Sequence, residues 1–324
     1  MIFPDSQFAG GMSSDVNRRL VAAIEYVSLE VIGLTIGAAG ISTSPAAHAL
    51  QNLAREAAVV DDIPEIRRLF SEHGHILTRP LFDERCHIVP WGAPDLTPSD
   101  FTLLQSALKD DIGLTARLVA PSPQHVAEFH KSFDLLGREL ARHLPNWWQE
   151  LEALVAVILL AESGDETARF GGASAFAAWG AILINPANSR EVLPLALTLI
   201  HESSHLKLFY AYLEDEIVLN GPNERFSSPL RREARPMNGI FHATFVLARM
   251  ILFLSDLIRT DAVPALLGTT GHDAIEADLR RLRAAFDEGY SVIAEHGVLT
   301  PKGAQILAQA HETVESCGDS QLAT

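Results

Sequence analysis

Apolar residues recur at helical spacing along most of this chain, and polar punctuation marks where each helix starts and stops. The run "DVNRRLVAAIEYVSLEVIG" predicts a long helix capped by Ser14 and ended by Gly33 or Gly37. "DDIPEIRRLFSEHG" predicts a short one, with Asp62 as N-cap, Pro64 in the first turn, Glu65 three after the cap and Gly74 at the exit. "TPSDFTLLQSALKDDIG" repeats that pattern from Thr97, Pro98 and Asp100. "SPQHVAEFHKSFDLLGRELARHLP" starts at Ser122–Pro123 and stops before Pro145.

The texture changes near residue 150. "LEALVAVILLA" is a continuous apolar run of the kind a buried strand makes, and "FGGASAFAAWGAILINPAN" holds a strand-like "AILIN" closed by Pro186. Two or three strands are expected here. A helix through "LALTLIHESSHLKLFYAYL" follows, then a polar irregular stretch, a second apolar helix from about Met237 to Arg259, and two terminal helices, the last capped by Thr300–Pro301. The fold class is therefore mainly α (α+β): a helical N-terminal half, then a small sheet beside two buried helices. The expected division is 1–145, a helical region and candidate peptide-binding part, and 146–324, a metal-binding catalytic region, the two able to share one core.

Composition narrows the function. Apolar residues are 48% and charged residues 20% of 324, an ordinary globular balance. The formal net charge of −16 argues against nucleic-acid binding, which needs a basic surface. Cys86 and Cys317 stand far apart in no metal or redox spacing, so a reducing cytoplasm is expected. The N-terminus lacks the basic start and apolar block of a signal peptide. Glu30 in one long apolar segment, and His242 and Arg249 in another, favour buried soluble helices over membrane spans.

The chemistry concentrates in "HESSH". His201 and His205, four apart on a helix, stack on one face and can reach one divalent ion. Glu202 lies about 100° around the helix and borders that site without competing for the metal. In a zinc peptidase it is the general base for the metal-bound water. One peptidase class continues with Gly and His at the positions of Leu208 and Ala211, so that class is excluded. Glu214 and Glu216 are too close to fold back, and Glu224 and Glu233 fall in a loop. His242, on an otherwise apolar helix, is the better third ligand. Three imidazoles suit zinc, iron, cobalt or nickel alike.

Arg231, Arg232 and Arg235 precede His242 within twelve residues. A guanidinium binds carboxylate in two-point fashion. Arg235 is held extended by Pro236 and can aim at the site, whereas Arg232 reads as a solvated loop charge. A peptidase would turn such an arginine on a peptide carboxylate or an oxyanion. A 2-oxo-acid oxygenase would use it to clamp the distal carboxylate of 2-oxoglutarate.

Three segments, "LALTLIHESSHLKL", "SSPLRREARPMNGIFHATFVLAR" and "LTPKGAQIL", together resemble the HExxH-motif proteins found beside ribosomally made, modified peptides. Members of that family are iron- and 2-oxoglutarate-dependent peptide β-hydroxylases. The likeness covers roughly residues 150 to 315, and Leu230 stands where the family often has a tryptophan. It implies His201, His205 and His242 as iron ligands on a zincin-like scaffold, and Arg231 or Arg235 as the 2-oxoglutarate clamp. It leaves the catalytic role of Glu202 open, and it implies a precursor peptide as partner. The alternatives are a zinc peptidase using Glu202 as base and a non-catalytic, metal-stabilised peptide-binding protein. The strand near "AWGAILIN" is a candidate for pairing with an extended peptide. Gly171, Gly172 and Gly180 would allow close backbone approach, and Trp179 reads as a packed aromatic.

Overall fold

A computed structural model describes residues 1–31, 33, 41–78, 85–108, 117–165, 170–228 and 233–319. The protein is mainly helical, 68% helix and 8% strand, with a small mixed sheet. It divides into two compact units. One comprises Met1–Ser6, Lys131–Glu150 and Glu191–Thr324, the other Gln7–His130 and Leu151–Arg190. The chain thus crosses between units four times, where the sequence reading set one boundary near 145.

The sheet unit opens with α1 (Ser6–Tyr26), which runs into a π-helical turn at Val27–Val31. The expected start at Ser14 is wrong: Ser14 lies inside α1, because Ala9, Met12 and Ser13 already continue its buried stripe. α2 (Pro45–Val59) is capped by Ser44, whose side chain accepts from Ala47 N. In α3 (Ile63–His73) Asp62 accepts from Glu65 N, as its capping pattern predicts. β1 (His87–Pro90) precedes α4 (Pro98–Leu108). There Thr97 and Asp100 bond reciprocally, Asp100 accepting from Thr97 N and Oγ1 and donating its own N–H to Thr97 Oγ1.

β2 (Leu118–Val119) pairs with β4 (Glu162–Ser163) as a separate antiparallel ribbon. The main sheet has order β1-β3-β6-β5, with β3 at Val157–Leu160, β5 at Gly172–Ser174 and β6 at Ala181–Ile184. The first three strands are parallel and β5 is antiparallel. This corrects the expected two or three strands. β1 escapes a pattern reading because "HIVP" is only four residues long and ends at a proline. β3 and β6 are buried at every position, which is why they read as continuous apolar runs. β6 also has strands on both sides, so it has no free edge for a peptide, contrary to expectation. Trp179 is packed, at 3% exposure, edge-on to Phe176. Gly180, at φ +84, turns the chain into β6 while its carbonyl accepts from Ala156 and Val157.

α5 (Pro123–His143) stops before Pro145, which at once starts α6 (Pro145–Leu154). The helical unit continues with α7 (Val192–Tyr212) and α8 (Met237–Leu257). α9 (Ala262–Leu267), α10 (Gly271–His296) and α11 (Pro301–Asp319) complete it. α8 packs on α7, α10 and α11 and is buried along nearly its whole length. It is long and apolar enough to cross a membrane, but 89% of that window is covered inside the protein. Thr300 caps α11, its hydroxyl accepting from Gly303 N.

Candidate functional site

α7 is buried on most of its surface, and even Glu202, Ser203, Ser204 and Lys207 are covered. Such a helix has no amphipathic polar face; its accessible positions form a narrow stripe. That stripe runs Pro194, Thr198, His201, His205, Phe209, Tyr212, at helical steps of three and four. The motif histidines therefore lie along the one side of α7 that solvent partly reaches.

The Nε2 atoms of His201 and His205 are 3.2 Å apart, with ring planes at 70°. Two nitrogens each ~2.0–2.1 Å from one tetrahedral ion lie roughly 3.3–3.4 Å apart, so the pair converges as two ligands would. The same separation also suits a bond in which one neutral ring donates to the other. His205 Nδ1 is sealed from solvent and has no hydrogen-bond partner.

α8 brings His242 alongside, its ring 5.7 Å from that of His205 and inclined by only 28°. Phe209 and Tyr212 close the cluster, at 5.5 and 5.1 Å from the His242 ring. Burial, then the neighbouring His201 and His242, hold His205 well below its usual pKa, and burial pushes His242 down to about 4. Both imidazoles are thus neutral at ordinary pH and keep a lone pair for a metal. Burial raises the Tyr212 phenol, so it stays protonated; its hydroxyl pairs with Asn238 Oδ1 at 2.5 Å.

The donor chemistry fits a divalent ion at His201 and His205. The third member differs from expectation in arrangement. His242 stacks beside the pair, and among the described residues no group of three His, Cys, Asp or Glu is arranged to hold an ion. Glu202 is 5% exposed and engaged in interactions of its own.

Arg235 is half-buried, and its backbone exchanges two hydrogen bonds with Phe226, at 2.8 and 2.9 Å. The Phe226 ring stacks on His296 at 5.3 Å. The isolated antiparallel bridge to Phe226 keeps Arg235 extended, as the Arg–Pro step predicts, and Pro236 follows as N-cap of α8. The Arg235 side chain runs along the first turn of α8, its Cδ 3.9 Å from where a Cβ on Gly239 would stand. Arg231 and Arg232 lie outside the described residues.

One constellation went unread in the sequence. Glu150, Lys207 and Arg249 are 2%, 0% and 0% exposed and form two buried ion pairs through the Glu150 carboxylate. Arg249 Nε also donates to Ser204 Oγ at 2.8 Å, and its Nη1 to the carbonyls of Met1 and Ile2 at 3.3 and 2.5 Å. Lys207 donates to Phe3 O at 2.7 Å, and Asp5 N to Glu150 at 2.8 Å. Burial, then the charge of Arg249, lower the Lys207 pKa to about 8, against the opposing pull of Glu150. The available signal was a lysine and an arginine inside otherwise apolar helices, each of which needs a buried partner.

No protein-family model matches this chain, and no curated protein matches it in sequence.

Proposed function

We propose that the protein is an iron- and 2-oxoglutarate-dependent oxygenase that hydroxylates a side-chain β-carbon of a ribosomally made precursor peptide. The observation that carries this reading is the His201–His205 pair, Nε2 atoms 3.2 Å apart on the accessible stripe of α7, with the neutral His242 ring beside it. Iron held there would supply O₂ activation coupled to decarboxylation of 2-oxoglutarate. The protein's own groups do the rest. His201 and His205 would hold the iron, and His242, whose ring stacks beside that of His205, would be the third ligand. Arg235, anchored at the entry to α8, pairs its guanidinium with the distal carboxylate of 2-oxoglutarate. Phe209 and the Tyr212 ring pack against the His242 ring, and Glu202, buried on the motif helix, takes no assigned step in this reading.

The test is anaerobic loading with Fe(II), then 2-oxoglutarate, O₂ and any short precursor peptide found encoded beside the gene. Succinate should form and the peptide should gain one oxygen. Cleavage of the peptide with zinc and without O₂ would instead establish a peptidase with Glu202 as base. Thermal stabilisation by metal without any turnover would establish the non-catalytic reading. Arg235→Ala should raise the KM for 2-oxoglutarate about 10- to 100-fold with metal content unchanged. If Arg231→Ala does so instead, the clamp is Arg231.

A further inference from the structure

The histidine cluster is shared between two helices, so its geometry depends on how α7 and α8 are aligned. Their contacts fall in antiparallel order. Tyr212 meets Asn238 and His242, Phe209 and His205 meet His242, and Ser204 meets Arg249. Most of the remaining interface is apolar, and apolar contact is non-directional. A slip of one residue moves a helix by ~1.5 Å. Such a slip would part the His242 ring from its contacts with His205, Phe209 and Tyr212. Something directional must hold the two helices in register.

We propose that the Ser204–Arg249 hydrogen bond, counter-charged by Glu150, sets the register of α7 against α8 and thereby places His242 against the His201–His205 pair. Ser204 and Arg249 are positioning residues, and the inference rests on the metal-site reading given above. Ser204 sits inside the motif, directly before His205. Its hydroxyl donates to the Ile200 carbonyl at 2.5 Å and accepts from Arg249 Nε at 2.8 Å. Arg249 lies two turns beyond His242, on nearly the same face of α8. Its planar fork is held at four further points: the carbonyls of Met1 and Ile2, the Glu150 carboxylate, and the face of Trp147 at 4.9 Å. A guanidinium bound in that many directions cannot slide. Buried ion pairs are poor sources of stability compared with apolar packing, so their value here is in specifying one alignment.

The test uses the full chain and two matched serine variants, read by histidine-ring NMR without metal and by Co(II) titration with its visible spectrum. Ser204→Ala removes the Arg249 acceptor. Ser255→Ala removes an equally buried α8 hydroxyl that has no partner. Ser204→Ala should shift the ring resonances of His205 and His242, leave those of His48 in place, weaken Co(II) binding about tenfold and move its absorption bands. Ser255→Ala should do none of these. The proposal is overturned if Ser204→Ala leaves both the rings and the Co(II) affinity as in the wild type, or if Ser255→Ala matches its effect. If the wild type and His205→Ala bind Co(II) equally, the metal reading fails, and the ring shifts alone still decide the positioning role.

Discussion

His48 and His205 are both histidines set inside helices, one in each unit, and the two sites are built differently. His48, on α2, is 6% exposed, and its Nε2 pairs with Asn17 Oδ1 at 2.9 Å. Burial lowers its pKa to about 3. His205 is likewise kept neutral, but its Nε2 faces the Nε2 of His201 and its Nδ1 has no partner. Burial shifts both groups in the same direction, so the shift does not distinguish them. Their partners do. His48 has an amide for a partner and completes a core. His205 is turned toward a second imidazole, with a third ring beside it, an arrangement that suits a bond between neutral rings as well as the proposed metal site.

The comparison is broken most severely beneath the histidines. Glu150→Gln leaves the buried Lys207 and Arg249 without their shared carboxylate, and should cost about 3–5 kcal/mol in urea unfolding. His48 has no comparable support, and His48→Gln should cost far less in the same measurement. Next in size, His205→Ala should weaken Co(II) or Fe(II) binding by more than about 100-fold, while His48→Gln leaves metal affinity unchanged. Equal losses in the two variants would remove the distinction between the sites.

A smaller effect is expected from pH. The folded-state pKa of His48, about 3, lies below its unfolded value of 6.5, so the unfolded chain takes the proton first. The stability it contributes is full well above pH 6.5 and declines as pH falls toward 3, by about 1.4 kcal/mol at pH 5.5. Melting curves of His48→Gln should therefore be flatter across that window than those of the wild type. The smallest effect is Tyr212→Phe. It removes the bond to Asn238 but keeps the ring against His242, and should lower stability by about 0.5–1 kcal/mol. A loss of metal affinity as large as that of His205→Ala would make Tyr212 a ligand and redraw the site.

Legibility in the sequence followed the range of the interactions. Asp62, Thr97, Asp100 and Thr300 were readable as helix caps because each bonds to backbone within a few residues. The pairing of His201 with His205 was readable because helical spacing stacks them. The start of α1 was misplaced at Ser14, since a serine inside a helix looks in sequence like one at its end. β1 was missed because four residues carry too little pattern, and its partner β3 is some seventy residues away.

By itself, then, the sequence determined the helical texture, most of the caps and a motif helix with two histidines on one stripe, all consequences of local geometry. Only the tertiary structure decided which surfaces those residues meet. It made "AILI" an interior strand rather than a peptide-binding edge. It set His242 parallel to His205, and it bound Ser204, Arg249, Lys207 and Glu150 into one buried network drawn from distant parts of the chain. Those outcomes depend on burial and on partners far apart in sequence, and a buried charge reveals its partner only once the chain has closed around it.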